Sequence, residues 1–182
     1  MIRGAELSDA QAIAKVAVDT WRTTYKGIMS DEFLSALSYE KVEATWQKIL
    51  SDPGRDRFGY VASDDGDAVI GFIHGGPERE GSPEYAGEIY AVYVLEAFQR
   101  RAVGRRLTGA LVQRLMDAGL LSVLVWVLEK NRSRAFYEAL GGQLLGQKQI
   151  SVGGTELVEV AYGWRDARRL IENCSAPAQG SF

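Results

Sequence analysis

The sequence has one cysteine, one histidine and no long apolar run, and each shortage narrows what the chain can be. A lone Cys174 cannot close an intrachain disulfide, so a reducing compartment, the cytoplasm, is the expected location. With His74 as the only histidine, no His/Cys cluster is available to a metal, and none is expected. Basic excess is also missing: 21 Lys and Arg stand against 24 Asp and Glu, a formal net charge of −3. Binding to a nucleic-acid backbone normally shows as a basic face, so nucleic acid is not an expected partner. No stretch approaches the roughly 20 apolar residues of a membrane span, and residues 1–6 lack the apolar core of a signal peptide. No membrane association is expected.

What is present suits one globular unit. With 182 residues, 46% hydrophobic and 10% aromatic, the chain can bury a substantial core. A single domain is expected over residues 1–172. The Ala-, Pro-, Gly- and Ser-containing stretch 173–182 is expected to be a loose tail.

Residues 2–5 fit a short strand, and Ser8 with Gln11 fits a capping box that opens a helix. Ile13, Val16, Ala17, Thr20 and Trp21 keep helical spacing and give that helix one inward face. Two further helical stretches are opened by Ser30 and by Ser38. Residues 58–62 and 68–74 flank Asp64-Asp65-Gly66-Asp67, residue types that tolerate positive φ, which predicts a hairpin. Residues 75–86, rich in glycine and carrying Pro77 and Pro83, predict a loop, and 88–94 an apolar strand. A helix runs from Gly104 to Gly119; residues 122–128, apolar throughout, predict a central strand covered on both faces. Asn131 or Ser133 caps a short helix carrying Phe136 and Leu140, and residues 147–152 and 156–162 close the chain as a hairpin. The order predicts a mixed α/β fold, one sheet with helices on both faces. Strand 88–94 should run parallel to 122–128 around the intervening helix.

Between that strand and helix lies Gln99-Arg100-Arg101-Ala102-Val103-Gly104-Arg105-Arg106. Two small residues at alternate positions, set among four arginines, describe a loop that bares N–H groups at a helix start. Unpaired donors, the positive end of the helix dipole and the arginines together suit a phosphate or pyrophosphate. Cations at a helix N-terminus oppose its dipole, so a purely structural cluster is the less expected reading.

Residues 94–104 resemble motif A of the GNAT family of N-acetyltransferases, Gln/Arg-x-x-Gly-x-Gly/Ala. Residues 129–141, with Asn131, Ala135, Phe136, Tyr137 and Leu140-Gly141, resemble the family's second acetyl-CoA motif. The two stand in the family's order, and with the helix carrying Trp21 and Tyr25 the resemblance covers about residues 1–165. It implies a central mixed, mostly antiparallel sheet of about seven strands with helices on both faces. It also implies acetyl-CoA, its pyrophosphate resting on the N–H groups of Gln99, Arg100, Arg101, Ala102, Val103, Gly104 and Arg105. The pantetheine arm would pair with Val92 and Val94, and Asn131 would contact the arm or cap its own helix. A β-bulge near Ala91 and Val92 would splay the strand from 122–128 to make the slot. An N–H in the 92–94 segment would polarise the thioester carbonyl, as in an oxyanion hole. By the same resemblance Tyr137 is the acid for the leaving thiolate, Glu88 the general base acting through water, and Trp21 and Tyr25 wall the acceptor pocket. Ala102 departs from the pattern, which has glycine there; if the position needs positive φ, alanine costs on the order of 1 kcal/mol.

Without the resemblance, Tyr137 is a residue on a helix surface and Glu88 a solvated carboxylate at a strand end. Trp46 and Trp126 fit the core, and His74 a polar residue whose partners are satisfied. With it, the chain is expected to transfer acetyl directly, in a ternary complex, to a primary amine of a small molecule such as a polyamine, aminoglycoside or amino-acid derivative. Cys174 lies outside the motifs, so no covalent intermediate is expected. Glu32, Glu78, Glu80 and Glu84 lie where they could border the acceptor pocket, and the net negative charge matches a cationic acceptor. The alternatives are a protein N-terminal or lysine acetyltransferase with an open, peptide-sized groove, and a non-catalytic acyl-CoA-binding regulatory module. A homodimer is expected only by analogy with the family.

Overall fold

A computed structural model of the protein describes residues 1–52 and 54–176. Seven strands form one sheet: β1 (Ile2–Gly4), β2 (Phe58–Ser63), β3 (Val69–Pro77), β4 (Gly87–Val94), β5 (Val123–Leu128), β6 (Gln143–Val152) and β7 (Thr155–Trp164). Their spatial order is β1-β2-β3-β4-β5-β7-β6, and every neighbouring pair is antiparallel except β4 with β5. The mixed α/β architecture is the expected one.

Helices α1 (Ala10–Thr24), α2 (Asp31–Ser35) and α3 (Tyr39–Ser51) lie on one face. Ile13 and Val16 of α1 and Trp46 of α3 pack on Val61 and Phe72. Ser30 and Ser38 cap as expected, their hydroxyl oxygens accepting the N–H groups of Phe33 and Lys41 at 3.2 Å each. The expected Ser8–Gln11 box is absent among the described residues; ahead of α1, Asp9 Oδ2 accepts the Glu6 N–H at 2.8 Å and closes a short turn over Leu7–Asp9, and no described side chain caps α1 itself. Arg3 donates to both Asp9 oxygens at 2.7 and 2.8 Å, and this charge-assisted arrangement is stronger than the neutral Ser8–Gln11 pair.

The other face carries α4 (Val103–Asp117), α5 (Arg134–Ala139) and α6 (Ala167–Ser175). Leu107, Leu111 and Leu115 of α4 are fully buried against Ile73, Ile89, Val125 and Tyr162. Each such leucine contributes about 2 kcal/mol by leaving water. Helix α6 corrects the expected tail: Asn173 and Cys174 are helical, while residues 177–182 lie outside the described residues. Asp166 starts α6 by accepting the Arg168 N–H at 3.0 Å, and Leu170 is buried.

Strand β3 also runs three residues past the expected end. Gly75 and Gly76 pair with Ile89 and Glu88. A Cβ at Gly75 would stand 2.6 Å from the Glu88 carbonyl and 2.8 Å from Leu111 Cδ2, so glycine here serves close packing and not a turn. Among the described residues, no helix is long and apolar enough to cross a membrane, and no group of three or more His, Cys, Asp or Glu could hold a metal ion.

Candidate active site

β4 and β5 pair only over Gly87–Ile89 and Val123–Val125, although both strands continue. The cause lies on the opposite edge of β4. His74 pairs with Ala91 but Gly75 pairs with Ile89, leaving Tyr90 as an extra residue. This bulge turns β4 away from β5, one residue ahead of the expected place, and the Tyr90 hydroxyl pins it by donating to Pro77 O at 2.6 Å. Leu95 N–H bonds Ile70 O at 2.9 Å on the β3 side. Antiparallel alternation then turns the N–H and C=O of Val92 and Val94 toward the open edge. Gln99 Nε2 donates to Val94 O at 3.0 Å, so Val92 and the Val94 N–H are left for a bound arm.

Beyond β4 the chain makes the expected anion loop. Arg100 and Ala102 both hold left-handed backbone, φ 58° and 59°. Ala102 thus adopts the strained conformation, and Arg100, for which the residue type gave no signal, adopts it too. The first helical bond of α4 runs from Arg106 N–H to Ala102 O at 3.0 Å, and no side chain caps the start. The N–H groups just before it are therefore presented to a ligand, in the concave arrangement that binds phosphate. A Cβ on Gly104 would lie 3.4 Å from Phe136 Cζ, so α5 packs closely on this helix start. Arg105 needs correction as a pyrophosphate side chain: its Nη1 donates to Asn173 O at 2.8 Å and Ala176 O at 3.0 Å, capping α6. Its backbone N–H remains in the loop. The open edge and the uncapped left-handed loop fit the arm and pyrophosphate of acetyl-CoA.

Tyr137 on α5 is buried, its ring 5.3 Å from Phe136 and 6.1 Å from Tyr162. Burial, reinforced by the nearby Tyr93, pushes its hydroxyl well above the usual tyrosine range, so it stays protonated. Tyr25 is raised as well, by burial first and then by Tyr93, so these hydroxyls share one neighbourhood. Asn131 Oδ1 accepts the Ser133 N–H at 2.8 Å, which closes a turn just ahead of α5, whose N-cap is Ser133. Trp21 meets Tyr25 edge-on at 5.0 Å and lies 6.3 Å from Phe33, which makes this helix end a wall.

Glu88 departs from both sequence readings. It is 1% exposed. Its Oε2 accepts from the Arg79 N–H at 3.2 Å and from Arg79 Nε at 3.0 Å, and Oε1 accepts from Arg79 Nη2. The carboxylate ties the loop after β3 to the sheet and is not a free base. His74 is neutral at pH 7: burial first, then Arg57 and Arg79, lowers its pKa to about 4, and its Nε2 is buried without a partner among the described residues. Trp46 is core, but Trp126 is only half-buried, with Nε1 unpartnered among the described residues and Lys148 Nζ 3.9 Å above its ring. Of the acidic residues expected nearby, Glu80 pairs with Lys148 on this face and Glu84 pairs with Arg165. Glu78 caps N–H groups within its own loop, and Glu32 sits in the first turn of α2. The sequence reading singled out neither Tyr93, beside the Tyr25 and Tyr137 hydroxyls, nor Glu159 on β7. The only signal for Glu159 was a charge inside the otherwise apolar run 157–161.

The model of the acetyltransferase (GNAT) family matches residues 18–142. The uncharacterized N-acetyltransferase YuaI of Bacillus subtilis (strain 168) is 39% identical over 169 residues, 93% of this chain and 95% of that protein. The crystal structure of PaiA N-acetyltransferase from Thermoplasma acidophilum in complex with coenzyme A superposes with a TM-score of 0.66 at 20% identity, covering 88% of this chain and 96% of that one. The ribosomal-protein-alanine N-acetyltransferase from Brucella melitensis does so with 0.69 at 21% identity, covering 90% and 98%. Sequence match, fold and slot agree, and the chain belongs to the GNAT family, N-acetyltransferases that draw their acetyl group from acetyl-CoA.

Proposed function

We propose that the protein acetylates a primary amine of a small molecule by direct transfer within a ternary complex. One observation carries the choice of a small acceptor. Tyr25, Met29 and Leu34 pack on Leu128 together with Ile150, Val152 and Leu157, so the α1–α2 segment is fastened to the β6–β7 hairpin. A peptide groove between those elements would need them apart, whereas a small amine does not.

Acetyl-CoA supplies an acyl carbon activated as a thioester. The N–H groups preceding α4 hold its pyrophosphate, and the edge of β4 at Val92 and Val94 orients its arm. An N–H of that edge polarises the carbonyl. Tyr137 holds a proton where sulfur departs, and its raised pKa keeps that proton in place through neutral pH.

The test is thiol release, with product mass, across polyamines, aminoglycosides, amino-acid derivatives and peptides bearing free N-termini or lysine. One small-molecule class should exceed every peptide in kcat/KM by about 100-fold. Preference for peptides would establish the protein-acetyltransferase alternative, and acetyl-CoA binding without turnover of any amine would establish the non-catalytic module.

A further inference from the structure

The sheet face opposite α4 carries a row of polar groups. Glu159 on β7 pairs with Leu128 on one side and Lys148 on the other, so Glu159 and Lys148 share that face with Trp126. Helices α1 and α3 cover the face near β2 to β4. Arg79 and Glu80, from the loop after β3, reach it by pairing with Glu88 on β4 and Lys148 on β6. Glu88 is consumed by Arg79, whereas among the described residues no donor hydrogen-bonds the Glu159 carboxylate. Its only charged neighbour in contact, among the described residues, is Lys148 Nζ at 3.8 Å, beyond hydrogen-bond reach, and its side chain is 23% exposed. Lys148 is turned to Glu80 and the Trp126 ring. The hydroxyl of Tyr93, beside the open edge of β4, is pushed up by burial first and further by the Glu159 charge.

The chemistry that this cluster of side chains accepts is indicated by the chain itself. The Lys148 ammonium lies between the Trp126 ring and the carboxylates of Glu80 and Glu159. A primary ammonium is therefore stable against this indole and these acids.

We propose that Glu159, and not Glu88, receives the acceptor ammonium and takes its proton. The assignment rests on the acetyl-transfer reading above. The ammonium gives one proton to Glu159, and the freed lone pair forms the C–N bond as the C–S bond of the thioester breaks. Sulfur takes a proton from Tyr137, which is restored through solvent by the second proton leaving nitrogen; Glu159 returns its own proton to water. Burial raises the Glu159 pKa, which brings the base nearer to working pH. Lys148 on β6 and Arg79 lower it, while Glu80 in the same loop and Glu88 on β4 raise it.

The experiment compares the full-length protein with Glu159→Gln and Lys148→Met. Glu159→Gln should lose at least about 100-fold in kcat and the acidic limb of kcat/KM, with KM for acetyl-CoA kept within about twofold. Without acetyl-CoA, carbon-13 NMR of labelled glutamates should show one carboxyl, absent from the Glu159→Gln spectrum, titrating above the ordinary glutamate value. Lys148→Met should move that titration and the acidic limb up together by about half a unit. An active wild type whose Glu159→Gln variant keeps its kcat and acidic limb overturns this assignment alone. Should Glu159→Gln fail to fold, an acidic limb unmoved in Lys148→Met overturns it instead. A wild type that binds acetyl-CoA and acetylates no amine overturns the parent reading and this assignment with it.

Discussion

Replacing Ala102 by glycine should stabilise the protein without weakening its grip on acetyl-CoA. Ala102 sits at φ 59° and ψ 5°, where the Cβ of an L-residue crowds the following carbonyl, costing about 1–2 kcal/mol. Glycine removes that strain but has a freer unfolded chain, which returns about 0.4–1 kcal/mol. Ala102 is exposed, so its methyl contributes little burial. The balance is a gain of about 0.5–1 kcal/mol, or about 2 °C in Tm for a chain of this size. Since glycine holds the same backbone, the N–H groups before α4 keep their aim, and the acetyl-CoA Kd should stay within about threefold. Urea unfolding followed by titration calorimetry of Ala102→Gly against wild type measures both. A variant less stable than wild type would refute the strain argument. A tenfold loss of affinity would show that the alanine methyl, and not the backbone, matters to the ligand.

Tyr137→Phe should lower kcat by about 100-fold while the acetyl-CoA KM stays level, as steady-state kinetics would read; an unchanged kcat removes Tyr137 as the acid. The depressed His74 pKa, about 4 against an ordinary 6.5, means that the unfolded chain takes up this proton first. Its contribution to stability is complete above pH 6.5 and is lost as pH falls toward 4. Urea unfolding at pH 7 and 4.5 should therefore show wild type losing about 2 kcal/mol more than His74→Phe. Gly75→Ala should cost about 2 kcal/mol, because its Cβ meets backbone on one side and the immobile Leu111 on the other; a shift under about 0.5 kcal/mol would contradict that packing.

Features that depend on local rules were legible in the sequence. Ser30 and Ser38 announced their helices through the orphan donors they satisfy, and the unbroken apolar run in β5 announced a strand covered on both faces. The anion loop was legible because small residues and arginines before a helix serve one physical purpose. What escaped depends on partners distant in the chain. Helix α6 carries Arg168, Arg169 and Glu172 around a thin apolar stripe, and only contact with α4 makes Leu170 a core residue. Glycines at 75 and 76 have the composition of a loop, yet there they admit Leu111 and Arg57 beside a strand. Arg79 lies nine positions from Glu88, and nothing periodic in an irregular loop foretells that it will take the carboxylate. Glu159 faces Lys148 only through the register of β6 with β7, which includes a slip between Leu144 and Gly146.

The central claim is that acetyl-CoA lies along the open edge of β4 and on the N–H groups at the start of α4. Amide hydrogen exchange of the full chain, with and without acetyl-CoA, tests it directly. The account predicts new protection at Val92, Val94 and the amides of residues 100–105, with β1 and β2 unchanged. Binding that leaves those amides exchanging as before would contradict it.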